Sequence, residues 1–191
     1  MSPAAALGEL GRAHAWPLSP TALPQLVTSG GERARYEFRA WGEAFPNLPQ
    51  PTGCPADEAV YLLPAGCGCR NIKLRDGALE IKELVSDAGG LQLWQPVACL
   101  EFPIPTTVLL RELLFLLRLG IVLRRASYRQ EELLAELAEE PRREPAVVRL
   151  RKRRRLHEVA GCRAETTELV LADGRRIMSA AVEHAEPLPL L

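Results

Sequence analysis

Charged and apolar residues alternate with a period of two along much of this 191-residue chain. Arg33, Arg35, Glu37 and Arg39 interleave with Ala34, Tyr36, Phe38 and Ala40, which predicts a strand over 32–41 with one charged and one apolar face. A Pro-rich loop over 45–55 and a short apolar strand over 59–63 follow. Residues 71–75 and 79–82 alternate again on either side of Asp76-Gly77, the turn pair of a tight hairpin. A further strand over 91–99 is entered after Gly89-Gly90.

The period then changes. Leucines at 109, 110, 113, 114, 116 and 117 have helical spacing, so a helix is expected over 106–119, ended by Gly120. A second helix is expected from Ser127, where Ser127-x-x-Gln130 fits a capping box and Leu133, Leu134 and Leu137 form a stripe, with Pro141 as its stop. The last third returns to period two in strands over 147–159, 163–171 and 176–183, joined by turns at Ala160-Gly161 and Asp173-Gly174. The organisation read from this is an arm over residues 1–30, then one domain over 31–186 with a helical insertion at about 106–140.

Composition adds one point. The 24 Lys and Arg balance the 24 Asp and Glu, so a generally basic nucleic-acid coat is excluded. Residues 146–163 nevertheless hold seven cations and one anion. The opening MSPAAALGEL has neither a basic leader nor an unbroken apolar run, and the most apolar stretch, 108–123, carries Arg111, Glu112 and Arg118. A cytoplasmic protein without a membrane span is expected, with its five cysteines as reduced thiols. Cys54, Cys67 and Cys69 lack the paired C-x2-C spacing of a zinc site. His14, His157 and His184 are isolated, and Trp16, Trp41 and Trp94 suit core or rim positions.

Alternation alone leaves two placements for the charged faces. In a sandwich they meet water; in a closed barrel with helices outside, they line the lumen. The strand over 147–159 is also open in phase. Either Lys152 and Arg154 face inward, or Arg149, Arg151, Arg153 and Arg155 do.

The order of short motifs resembles the CYTH or triphosphate tunnel metalloenzyme superfamily. Tyr36-Glu37-Phe38-Arg39 is similar to the second half of its ExExK strand. Lys73-Leu74-Arg75 followed by Leu79-Glu80-Ile81-Lys82 is similar to its R-x-R and L-T-x-K strands. Leu150-Arg151-Lys152-Arg153-Arg154 resembles its V-x-K-x-R strand, and Ala164-Glu165-Thr166-Thr167 its terminal E-x-E strand. The resemblance implies an α+β fold, an antiparallel eight-stranded tunnel-type β-barrel with helices packed outside. It implies a triphosphate or other polyanionic small molecule as ligand, gripped by Arg35, Arg39, Lys73, Arg75, Lys82, Lys152 and Arg154. It also implies Mg2+ or Mn2+ held by Glu37 and Glu165, with Glu80 and Glu183 as candidate further ligands. Hydrolysis of the terminal phosphate would then rest on Glu37 and Lys82. Arg35 and Thr167 stand where the family has glutamates, which favours anion binding over hydrolysis. A barrel that binds a phosphorylated ligand without turnover is the first alternative. A nucleic-acid contact through the Arg-rich strand is the second.

Overall fold

The computed structural model describes residues 33–42, 45, 48–66, 68–114, 121–139 and 145–187. The expected 1–30 arm, Cys67, the 115–120 end of the first expected helix and the Pro141 stop lie outside them.

Eight strands close into an antiparallel barrel. They are β1 (Arg35–Gly42), β2 (Ala56–Leu63), β3 (Arg70–Arg75), β4 (Ala78–Ala88), β5 (Leu91–Glu101), β8 (Ala146–Val159), β9 (Cys162–Leu171) and β10 (Arg176–His184), in the spatial order β1-β10-β9-β8-β2-β3-β4-β5. Pairing of β1 with both β10 and β5 closes the ring. A separate two-stranded ribbon joins β6 (Ile104–Pro105) to β7 (Ser127–Tyr128). The first helix is α1 (Thr106–Leu109), running into a π turn (Leu110–Leu114); the second is α2 (Gln130–Ala138).

The core explains why the charged faces turn inward. Leu62, Ile72, Leu74, Leu79 and Ile81, at alternate positions of β2 to β4, are almost completely buried. They pack on Leu109, Leu113, Leu114, Leu133, Leu134 and Leu137 of the helical layer. Full burial of such a side chain is worth about 1.5–3 kcal/mol. The apolar face of these strands is therefore the outer one, and the alternate charged residues have only the lumen left. The sandwich arrangement is excluded.

Two helical expectations change. Within the described part of the helix expected over 106–119, the chain is α-helical over Thr106–Leu109 and then widens into the π turn over Leu110–Leu114. Leu109, Leu113 and Leu114, at i, i+4 and i+5, are all buried while Leu110 is exposed. The second helix starts at Gln130 rather than Ser127, because Ser127 belongs to β7. Tyr128 holds that segment extended. Its ring is fully buried, and its hydroxyl donates to Glu136 (2.6 Å) while accepting from the Arg124 and Arg125 amides (2.8 and 3.1 Å). The cap comes two residues later, at Arg129, where the Glu132 carboxylate accepts the Arg129 N–H at 2.9 Å.

Three tight hairpins use left-handed turn pairs: Asp76 and Gly77 have φ of 51° and 75°, Gly89 and Gly90 have φ of 66° and 94°, and Ala160 and Gly161 have φ of 50° and 79°. Ala160 pays for a conformation that Asn tolerates better. Ala160→Asn is expected to stabilise the fold by about 0.5–1 kcal/mol, read as a higher urea midpoint at unchanged slope.

Candidate functional site

Register places the motif residues on one surface. Glu37 stands opposite Glu183, Arg154 opposite Thr167, Lys152 opposite Asp57, and Lys73 opposite both Tyr61 and Glu80. Residues paired across a sheet share a face, so these all point into the lumen. Contacts across non-adjacent strands agree: Arg39 of β1 reaches Glu165 of β9 at 3.0 Å, passing over β10.

Within the lumen the charges form a chain of alternating sign. Glu37 and Glu165 both accept from Arg39, at 2.8 and 3.0 Å. Glu165 faces Arg154 at 4.0 Å, and Arg154 donates to Asp57 at 2.9 Å. Asp57 also meets Arg75 at 3.4 Å; Arg75 donates to Glu80 at 3.0 Å, and Glu80 pairs with Lys73 at 2.7 Å. Six strands contribute to this chain, and its side chains are only 14–26% exposed. Charges so enclosed are tolerable because each meets the opposite sign. Ser179 and Thr167, both buried, complete the polar shell. Ser179 accepts from Arg39 at 2.9 Å, and Thr167 donates to Glu165 at 3.2 Å.

Asp57 and Tyr61 line the same lumen and are absent from the sequence expectation. β2 starts at Ala56 rather than 59, and Asp57 is the inward position two residues before Ala59. A strand extended backward in phase would have found it. The inner inventory is then six cations (Arg39, Lys73, Arg75, Lys82, Lys152, Arg154) against five carboxylates (Glu37, Asp57, Glu80, Glu165, Glu183). Arg35 shares the phase of Glu37 and Arg39 but is exposed.

The phase of β8 is resolved by the same pairing. Lys152 and Arg154 are half-buried, whereas Arg149, Arg151, Arg153 and Arg155 are exposed. His157 is buried, with Nδ1 2.8 Å from the Pro49 carbonyl oxygen.

Lys152 stands apart from the chain. Its ammonium donates to the Tyr61 hydroxyl and lies 4.8 Å from the Tyr61 ring centroid. Burial, reinforced by the positive charge of Arg154, lowers its pKa to about 8. Lys73 is also held below the ordinary lysine value by burial, against the opposing pull of Glu80. Burial would raise the Glu165 carboxyl, yet Arg39, Arg154 and the Thr167 hydroxyl hold it low. Glu183 goes the other way, raised by burial and by the negative charges of Glu37 and Glu165. Lys82, half-buried and opposite Asn71, contributes a positive charge that works against that rise.

Among the described residues no three His, Cys, Asp or Glu side chains are grouped so as to hold a metal ion. Arg39 bonds both oxygens of Glu37 and Oε1 of Glu165, and Glu80 bonds Lys73 and Arg75. Asp57 Oδ1 is buried without a hydrogen-bond partner among the described residues, as is Arg75 Nε, which lies 3.4 Å from the Asp76 carboxylate. Cys54 and Cys69 are exposed. No helix among the described residues is long and apolar enough to cross a membrane.

No protein-family model matches the chain, and no curated protein is significantly similar to it.

Lys152 titrates near 8 when folded against 10.5 for an ordinary lysine. Between those values the unfolded chain binds more protons, so stability rises with pH across that window, and below it the charged ammonium is a net burden. Lys152→Met is therefore expected to be more stable at pH 7, by on the order of 1–3 kcal/mol. It is also expected to lose most of the rise above pH 8, with Lys73 supplying the remainder. Denaturant titrations at pH 7, 8, 9 and 10 read both effects.

Proposed function

We propose that the barrel binds a small polyanion, a triphosphate-containing molecule or one of similar charge, inside its lumen, as a divergent CYTH-like tunnel protein. The observation that carries this reading is the convergence of six cations from four strands on one enclosed surface. Three of them are guanidinium groups, whose planar forks suit phosphate oxygens. The resemblance in motif order supports the same ligand class.

The ligand would work by exchange. Arg39, Arg75 and Arg154 now bond to carboxylates, and a triphosphate offers more charge and more acceptor oxygens than the carboxylates it would displace. Lys152, bonded to a phenol, can turn to the ligand without giving up an ion pair within the described residues. A phosphate beside Lys152 would raise its depressed pKa, so binding near pH 8 would take up a proton.

Binding without turnover is preferred to metal-dependent hydrolysis because Glu37, Glu80 and Glu165 are engaged by cations. Glu37 and Lys82 remain the positions on which hydrolysis would depend, and Mg2+ or Mn2+ is one variable of the test.

Calorimetry with tripolyphosphate is expected to give 1:1 binding that weakens as pH rises through about 8. Arg154→Gln and Lys152→Met are each expected to weaken it about tenfold or more, the usual loss for a buried charge-assisted bond. Absence of binding heat with tripolyphosphate and with nucleoside triphosphates, at pH 7 and with either metal, defeats the proposal. Phosphate release that needs Mn2+ or Mg2+ and disappears in Glu37→Gln would replace simple binding by hydrolysis.

A further inference from the structure

The outer face of β8 carries a second cationic surface that the lumen does not use. Arg149, Arg151, Arg153 and Arg155 are all exposed there. At 3.3–3.4 Å per residue, alternate positions lie about 6.7 Å apart and the row is about 20 Å long. Arg176 of β10 adds a fifth guanidinium on the same outward phase, since it stands opposite Val170, which stands opposite Arg151.

Two glutamates answer these five arginines. Glu58 pairs with Arg151 at 3.0 Å, while Glu168 is shared between Arg176 at 2.9 Å and Arg153 at 3.5 Å. Arg149 and Arg155 make no ion pair among the described residues. The Arg151 and Arg153 side chains are 58% and 59% exposed, so their pairs are the kind worth about 0–1 kcal/mol and easily exchanged. The answering glutamates stand on the flanking strands, and along β8 itself the row repeats one sign at four successive outward positions, at a cost in mutual repulsion.

The chemistry of the row selects its partner. Guanidinium forks at regular intervals suit a linear run of phosphate groups. The outward residues flanking the row, Glu58 and Val60 on β2 and Thr166, Glu168 and Val170 on β9, include no aromatic ring on which a base could stack. They also offer no large apolar wedge for a lipid surface.

We propose that the outer face of β8 binds the phosphate backbone of nucleic acid without reading sequence. Four phosphates in contact would give a salt slope of about −3 for a single strand, hence about 50-fold weaker binding at 200 mM salt than at 50 mM. The lumen and this face lie on opposite sides of one strand, so the two sites are separable by mutation.

The test is fluorescence anisotropy of the full chain with labelled 20-nucleotide oligo(dT) and oligo(U), titrated between 50 and 200 mM salt. Both are expected to bind with similar affinity. Arg149→Gln combined with Arg155→Gln is expected to flatten the slope by about 1.4, and all four Arg→Gln changes to abolish binding at 50 mM salt. Circular dichroism and thermal midpoints check that these surface variants fold. Arg154→Gln, which impairs the lumen, is expected to leave oligonucleotide affinity unchanged. The proposal is overturned by no binding at 50 mM salt, by full affinity in the folded quadruple variant, or by loss in Arg154→Gln equal to that in the outer variants. Failure of tripolyphosphate binding, with oligonucleotide binding intact, would remove the lumen reading and leave this one standing.

Discussion

Ionised groups enclosed by a barrel wall must meet opposite charge or water, and this lumen meets the requirement mainly by pairing. Arg39 holds Glu37 and Glu165, Arg154 and Arg75 share Asp57, and Glu80 takes Arg75 and Lys73. Removing one member leaves its neighbour uncompensated in a poorly solvated space, which costs more than the pair itself contributes. The chain of charges therefore behaves as a unit across six strands, and any anion entering the lumen would have to displace one of its carboxylates.

The same requirement is coupled to packing outside the barrel. The helical layer demands an apolar floor, and Leu62, Ile72, Leu74, Leu79 and Ile81 supply it from the outer face of β2, β3 and β4. Strand alternation then commits Lys73, Arg75 and Glu80 to the interior. A one-residue slip in this region would bury the charges under leucines and put the leucines in the lumen. Charge pairing inside and apolar packing outside thus defend a single register.

Much of this was legible before the fold was known, and the failures have physical causes. Asp76-Gly77 marked its hairpin because the turn needs two left-handed residues. The inward phase of Glu37, Arg39, Lys73 and Arg75 followed from period two, but lumen and solvent look alike to a single strand. Only the leucine-rich helices over the opposite face distinguish them. The phase of β8 was open because seven of its residues from 149 to 155 alternate equally well either way, with Leu150 the sole apolar member. Pairing of Lys152 with Asp57 decides it. Asp57 itself was hidden because Gly53 and Pro55 read as loop up to the edge of an apolar run. The π turn left no signature distinct from a leucine-rich helix, and Ser127 imitated a cap that Tyr128, pinned by three hydrogen bonds, does not allow to form.

The near balance of six cations and five carboxylates inside the barrel has a kinetic side. A lumen whose charges cancel projects little field beyond its mouth, so a small anion would arrive by diffusion alone and be selected only on contact. The unbalanced outer row is the opposite case. Its field extends about a Debye length into solution, roughly 8 Å at physiological ionic strength. One strand would thereby carry a silent interior surface and a long-range exterior one, recruiting partners on different principles.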